Sequence, residues 1–352
     1  MSDAAPTPLD PALARYARQI RYAPLGEEAQ LRLQASRALV CGVGALGSVI
    51  ADTLVRAGVG KVRLVDRDFV ELTNLQRQML FDERDAAAGT PKAIAAAEKL
   101  RAINSMVEVE AIVADVDPSN ILQLCGGVDV IVDGTDNFET RFLINDAALK
   151  LGIPWVYGGA IGGEGRTMTI LPGETPCLRC VMAEPPPPGT SPTCDTAGIV
   201  GPVIHVVGAL EAMEALKILA GRREAVNRGL TIIDVWHNTS RSIGLKSLAE
   251  AADCGACKRQ EFPWLEATQG TRSAVLCGRN AVQISGAERR PIGLDALAEQ
   301  LAAVGKVVRN PFLLRAVIGE YVVTVFPDGR AIIGGTDDIA VARSVYARYI
   351  GA

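Results

Sequence analysis

Residues 38–47, Ala38-Leu-Val-Cys-Gly-Val-Gly-Ala-Leu-Gly47, decide the fold. A short apolar run ends in glycines at Gly42, Gly44 and Gly47, and residues 48–57 carry a helical pattern. The first glycine suits a tight turn out of a strand. The second lets a ligand approach the backbone, and the third lets helix pack on strand. Lys61-Val-Arg-Leu-Val65 is the next strand, and Asp66 closes it 19 residues past Gly47. An acid there can hold ribose hydroxyls, so the unit predicts a nucleotide-binding βαβ; the alternative is a tight turn with no ligand. The loop alone does not separate NAD from ATP.

On either side the alternation continues. Residues 10–34 are expected to be helical, as are 91–103 and 118–124, with strands at 107–113 and 128–132. Strands apolar throughout, alternating with helices, predict a Rossmann-like, doubly wound, mainly parallel α/β sheet. After Pro154 the pattern changes: strands at 155–160, 166–171 and 230–235 extend the sheet, with a long helix over 203–220. The segment 184–192, EPPPPGTSP, is expected to be a mobile loop. A boundary near 262–271 separates a first domain (1–262) from a small α/β domain (272–352) with the outline β-β-α-β-β-α.

The 352 residues are 49% hydrophobic and 22% charged, with a net charge of -4. That excludes a disordered chain and argues against nucleic acid held in a basic field. The longest apolar run, 199–210, contains Pro202 and His205, far short of the roughly 20 residues that span a bilayer. No secretory signal is visible, and a cytoplasmic protein without membrane attachment is expected.

The block after the acid narrows the ligand. Asp66-Arg-Asp-Phe-Val-Glu-Leu-Thr-Asn-Leu-Gln-Arg-Gln78 places Asn74, Arg77 and Gln78 just past the ribose strand, where a dehydrogenase has no evident use for them. Arginine donors pair with phosphate oxygens in a fork, so the block favours ATP. Lys92, at a helix start, adds a second cation. Asp136, followed by Asn137 at another strand's carboxyl end, is positioned to hold Mg²⁺. Singly, each has a plain structural reading as a solvated charge, a helix surface lysine or an N-cap.

Cysteine usage points to a metal. Cys177-Leu-Arg-Cys180 and Cys254-Gly-Ala-Cys257 are two Cys-x-x-Cys pairs separated by 73 residues. Four thiolates in a tetrahedron make a closed structural Zn²⁺ site; redox pairs or buried cysteines are the alternatives. Cys194 differs: it follows the proline-rich loop and precedes a helix, as a deliverable thiol would, or it is an incidental surface cysteine. Cys41 and Cys125 suit a core, and Cys277 packing in the last domain.

GVGALG, the D-x-D…NLQRQ block, TPKA and GTDN, in this order, resemble the MoeB and ThiF adenylyltransferases of ubiquitin-like sulfur carrier proteins, over about residues 15–257. Ala45 departs from a glycine common in that loop. The resemblance implies that Asp66 binds ribose, Asn74 and Arg77 the phosphates, Lys92 the α-phosphate and Asp136 Mg²⁺. It assigns Zn²⁺ to the four cysteines and a covalent link with the carrier to Cys194. The segment Arg15-Tyr-Ala-Arg-Gln-Ile20 matches an N-terminal motif whose second arginine, here Arg18, reaches the ATP site of the partner subunit. A homodimer is therefore implied.

The activity so implied is ATP-dependent adenylation of a carrier protein's C-terminal Gly-Gly carboxylate, with pyrophosphate released. The product suits a sulfur donor in thiamine, molybdopterin or related synthesis. Three rivals share the glycine loop. An NAD oxidoreductase leaves NLQRQ and the paired cysteines unexplained. An adenylating enzyme acting on a small molecule or modified tRNA would make less of the Cys194 segment. A non-catalytic scaffold would lack Arg77, Lys92 or Asp136. The last 80 residues carry no persulfide-forming loop, and suit either a docking domain for the carrier or plain packing.

Overall fold

The computed structural model describes residues 11–185, 197–251, 253–266, 273–276, 280–284 and 291–350. Cys194, Cys277, most of the proline-rich loop and the end of the expected boundary at 267–271 lie outside the described residues. The chain forms two compact units, one built from residues 1–185 and 200–267, the other from 186–199 and 268–352.

In the first unit, β1 (Arg37–Cys41), β2 (Lys61–Asp66), β3 (Glu108–Val113), β4 (Val130–Asp133) and β5 (Trp155–Ile161) run parallel, and β6 (Glu164–Ile170), β7 (Gly229–Asp234) and β8 (Thr239–Gly244) are added antiparallel. The order is β3-β2-β1-β4-β5-β6-β7-β8. Covering both faces of the parallel part are α1 (Ala45–Ala57), α2 (Lys92–Ile103), α3 (Phe138–Leu151) and α4 (Gly201–Leu219). On one face α3 buries Phe142, Ile144 and Ala148 against Leu39, Ile131 and Trp155. On the other, α1 packs against α4, which lies on β4, β5 and β6. Full burial of both faces is why β1 and β4 are apolar at nearly every position. The expected α/β fold is the observed one.

Three local readings need correction. The helix expected over residues 10–34 is two, Ala17–Ile20 and Gly26–Ala35, after a 3₁₀ turn at Pro11–Tyr16. Pro24 cannot donate within a helix and stops it. The helix α3 was not expected, because residues 141–148 are all buried, Arg141, Asn145 and Asp146 among them, so no apolar stripe of period 3.6 marks it. Strand β8 was not expected either: all six of its residues are exposed, and its pairing with β7 alone defines it.

The second unit is a six-stranded antiparallel sheet, order β11-β12-β13-β14-β10-β9. Its strands are β9 (Ser273–Leu276), β10 (Ala281–Ile284), β11 (Lys306–Arg309), β12 (Leu314–Ile318), β13 (Tyr321–Val325) and β14 (Ala331–Gly334). Two helices, α5 (Leu294–Ala302) and α6 (Ile339–Tyr349), contribute Leu297, Leu301, Ala342 and Val345 to its core. Four strands, not the expected two, separate the helices. Among the described residues no helix is long and apolar enough to cross a membrane.

Candidate functional site

From β1 the chain steps outward to β2 and β3, then returns to β4 on the other side of β1. Such a reversal opens a crevice beyond the carboxyl ends of the two central strands, where open α/β sheets bind ligands. Two turns border it. After β1, Gly42 adopts φ +83, a left-handed conformation that glycine takes without strain. After β4, Gly134 donates its N–H to the Cys41 carbonyl at 2.7 Å. A Cβ on Gly42 would lie 2.6 Å from the Gly134 oxygen, and one on Gly134 would lie 2.2 Å from the Gly42 oxygen. The turns touch through bare backbone.

Gly47 serves a different contact: its Cβ would stand 1.9 Å from the Gly42 oxygen, so only glycine lets α1 start this close to the turn. Gly47→Ala is expected to cost about 4 kcal/mol or more, measured by urea unfolding. An unchanged midpoint would mean that the loop and helix can part without loss. At Gly44 a Cβ would meet only Gln78 Nε2, at 3.8 Å. Gln78 is buried, and among the described residues its Oε1 has no hydrogen-bond partner. The second glycine thus faces space beside an amide with unspent bonding capacity.

Asp66 ends β2 under this loop. Its Oδ2 accepts from Val43 N and its Oδ1 from Asp68 N, both at 2.7 Å. Burial raises its pKa, with Asp68 reinforcing and Lys92 opposing. The Lys92 ammonium is buried and lies 3.1 Å from Asp68 Oδ2, while Lys92 N donates to the Asp68 carbonyl. Arg67 pairs with Asp115 at 3.0 Å. The structure therefore gathers Gly42, Gly44, Gln78, Asp66 and Lys92 around the carboxyl ends of β1 and β2.

The remaining candidates are placed less simply. Asn74 is buried and its Oδ1 caps a turn by accepting from Glu71 N. Arg77 is half-buried and donates to the Thr73 carbonyl at 3.0 Å. Asn137 is the N-cap of α3, accepting from Thr140 N at 2.9 Å. Asp136, the next residue back, is exposed. On the N-terminal segment, Arg15 donates to the Ile103 carbonyl, Tyr16 accepts from Asn104, and Gln19 donates to Gln30 and the Ala57 carbonyl. Arg18 alone of this motif's long polar side chains is exposed with no hydrogen bond or ion pair among the described residues.

Sequence reading missed the group that holds the second turn. Asp133, fully buried at the end of β4, accepts from Thr135 N, Thr135 Oγ1 and Arg141 Nε. Arg141 Nη2 donates to the Thr135 and Gly158 carbonyls at 2.7 and 2.9 Å. A buried arginine inside a helix was the available signal, obscured because α3 itself was not recognised.

The four cysteines form a second centre. Sulfur separations are 3.8 Å for Cys177–Cys180, 3.6 Å for Cys177–Cys254 and 3.4 Å for Cys180–Cys257, and all four sulfurs lie within 4.8 Å of one another. A metal about 2.3 Å from each corner of a tetrahedron sets its sulfurs roughly 3.8 Å apart, so the cluster fits zinc. Adjacent residues of α3 hold its two arms: Asn145 accepts from Leu178 N at 2.9 Å, and Asp146 accepts from Trp264 N at 3.0 Å.

Asp146 gives the cluster's setting a pH dependence. Burial lifts its carboxyl to about 6. The folded state then holds a proton that the unfolded chain releases near pH 4, so this group's contribution falls as pH rises from about 4 to 6. Asp146→Asn is expected to keep the Trp264 bond and flatten that slope in urea titrations at about pH 4.5 and 7. Equal slopes in both proteins would reject the assignment.

A doubly wound α/β protein with a glycine turn at its switch point and a four-cysteine cluster is the class so defined. The ThiF family model matches residues 16–256, and the chain belongs to that family. It is 45% identical over 338 residues to the sulfur carrier protein ThiS adenylyltransferase of Bacillus subtilis, covering 96% of this chain and 99% of the relative. A sulfur carrier protein adenylyltransferase of Thermus thermophilus is 40% identical, covering 69% and 91%. The fold resembles that of Escherichia coli MccB bound to ATP, with a TM-score of 0.56 and 23% identity, covering 66% and 71%.

Proposed function

We propose that this chain is an ATP-dependent adenylyltransferase of a small ubiquitin-like sulfur carrier protein of the ThiS type. The observation that carries the reading is the switch-point crevice, where Gly44 and Gln78 leave space beside Asp66 and the buried Lys92. Similarity over 96% of the chain to a ThiS adenylyltransferase supports it, since the C-terminal unit falls within the match.

In this reading the nucleotide's phosphates lie along Gly42 and Gly44, and Asp66 binds the ribose. Arg77, Asn74 and Gln78 face the phosphate chain, and Lys92 the α-phosphate. Asp136 and Asn137 stand at the opposite turn, where Asp136 would hold Mg²⁺; the ion would supply charge neutralisation at the leaving pyrophosphate. The carrier's terminal glycine is a carboxylate at neutral pH and needs no general base. Its oxygen attacks the α-phosphorus, the bond to the β-phosphate bridging oxygen breaks, and pyrophosphate departs with the electron pair. Alignment and charge stabilisation are the chain's contribution.

Zinc in the four-cysteine cluster would be structural, because all four positions are protein sulfurs. Arg18, exposed and without a hydrogen bond among the described residues while Arg15 and Gln19 are tied to the Ile103 and Ala57 carbonyls, suits a group that completes the site of a second copy in a homodimer. Cys194 would accept the activated carrier before a sulfur-donor protein acts, and the setting is the reducing cytoplasm. The test is exchange of labelled pyrophosphate into ATP with purified protein and a Gly-Gly carrier. Carrier-dependent exchange is expected, and none with any carrier encoded beside it would reject the reading.

A further inference from the structure

Among the described residues, the most deeply buried acid outside the two centres is Glu211 of α4. It is fully buried, and among the described residues neither carboxyl oxygen has a hydrogen-bond partner. Glycine in β5 makes room for it: a Cβ on Gly158 would lie 2.1 Å from Glu211 Cδ. The carbonyl of the same Gly158 accepts from Arg141 Nη2, which also donates to Thr135, while Arg141 Nε holds Asp133. The carboxyl of Glu211 therefore presses on the peptide that anchors the guanidinium. The guanidinium in turn anchors the turn leading into Asp136.

Charge counting fixes the state of this group. Among the described residues Asp133 accepts three hydrogen bonds and Glu211 none, so Arg141, the cation between them, belongs to Asp133. A second carboxylate without donors would be dehydrated and uncompensated. Burial, reinforced by Asp133 and opposed by Arg141, accordingly drives the Glu211 carboxyl well above the usual range. Of the other elements packed here, β5 brings Tyr157, whose ring lies 5.3 Å from the guanidinium. Asp52 of α1 is engaged with Arg56. An ionised Glu211 would compete with Asp133 and Thr135 for Arg141.

We propose that Glu211 is a positioning residue: packed on Gly158 as an uncharged acid, it keeps Arg141 on the 133–136 turn and so sets where Asp136 stands. Only the task given to Asp136 rests on the nucleotide reading above. The test uses the full chain as wild type, Glu211→Gln and Glu211→Ala, with the melting curve, the Arg141 Nε–H resonance and the KM for MgATP in carrier-dependent exchange.

Glu211→Gln is expected to match wild type at neutral pH. Glu211→Ala is expected to melt as a folded protein, to shift or broaden the Arg141 resonance, and to raise the KM for MgATP roughly tenfold with less change in kcat. At alkaline pH the wild type loses the resonance and activity while Glu211→Gln keeps both. A folded Glu211→Ala with unchanged resonance and KM would overturn the proposal, as would Glu211→Gln behaving like it. Should Glu211→Ala not fold, the alkaline comparison decides alone, and identical limbs overturn the proposal. If wild type shows no exchange, the adenylation reading fails, and the Arg141 resonance still decides the positioning role.

Discussion

Lys92→Ala is expected to lower carrier-dependent pyrophosphate exchange by about a hundredfold or more, on the order of 3 kcal/mol at the transition state. The ammonium sits buried at the start of α2, beside the end of β2 at Asp66 and the following Asp68. Charge developing on a transferring phosphoryl group is stabilised most by a cation already held in a water-poor place. The same substitution removes the shorter of the two ion pairs of Asp68, leaving Arg67 at 3.8 Å, so the single variant mixes catalysis with folding. Lys92→Ala with Asp68→Asn also removes the charge that Lys92 had faced. That double variant should regain the wild-type melting temperature and still lack exchange. Recovery of exchange in it would assign Lys92 to folding rather than to phosphoryl transfer.

Cys177→Ser is expected to empty the metal site and destabilise the first unit by several kcal/mol. A tetrahedral site made wholly of protein sulfurs binds zinc through deprotonated thiols, and its binding energy adds directly to folding. Without metal, Cys177 is pushed up by its sulfur contact with Cys180 and by burial, and Cys257 is raised to about 12 by burial and the neighbouring sulfurs. Serine supplies no comparable ligand. Elemental analysis should fall from one zinc per chain to near none, and urea denaturation should shift to lower midpoints. Full zinc content with unchanged unfolding would show that the cluster tolerates three ligands and is not a structural brace.

Much of this was legible in the chain because the decisive residues obey local rules. Gly42 needs its left-handed φ, Gly47 its missing Cβ, and strand-end Asp66 its loop amide; each leaves a mark at fixed spacing. The paired cysteines likewise announce their own geometry, and the cluster at 3.4–3.8 Å follows. What stayed hidden depends on partners distant in sequence. Arg141, Asn145 and Asp146 are polar residues buried by contacts with β5, the Cys177 arm and the Trp264 segment, so their helix shows no amphipathic stripe. Asn74 and Asn137 are held as turn and helix caps, a local use that spacing cannot separate from ligand binding. Strand β8 owes its existence to pairing alone.

The reciprocal approach of Gly42 and Gly134 makes the crevice a fixed-gauge device. Its width is measured out by covalent main chain and by the strand-to-strand repeat of roughly 4.8 Å, not by rotamers that relax. Side-chain evolution can therefore change what is gripped on either jaw, but the opening of the jaws is inherited with the sheet.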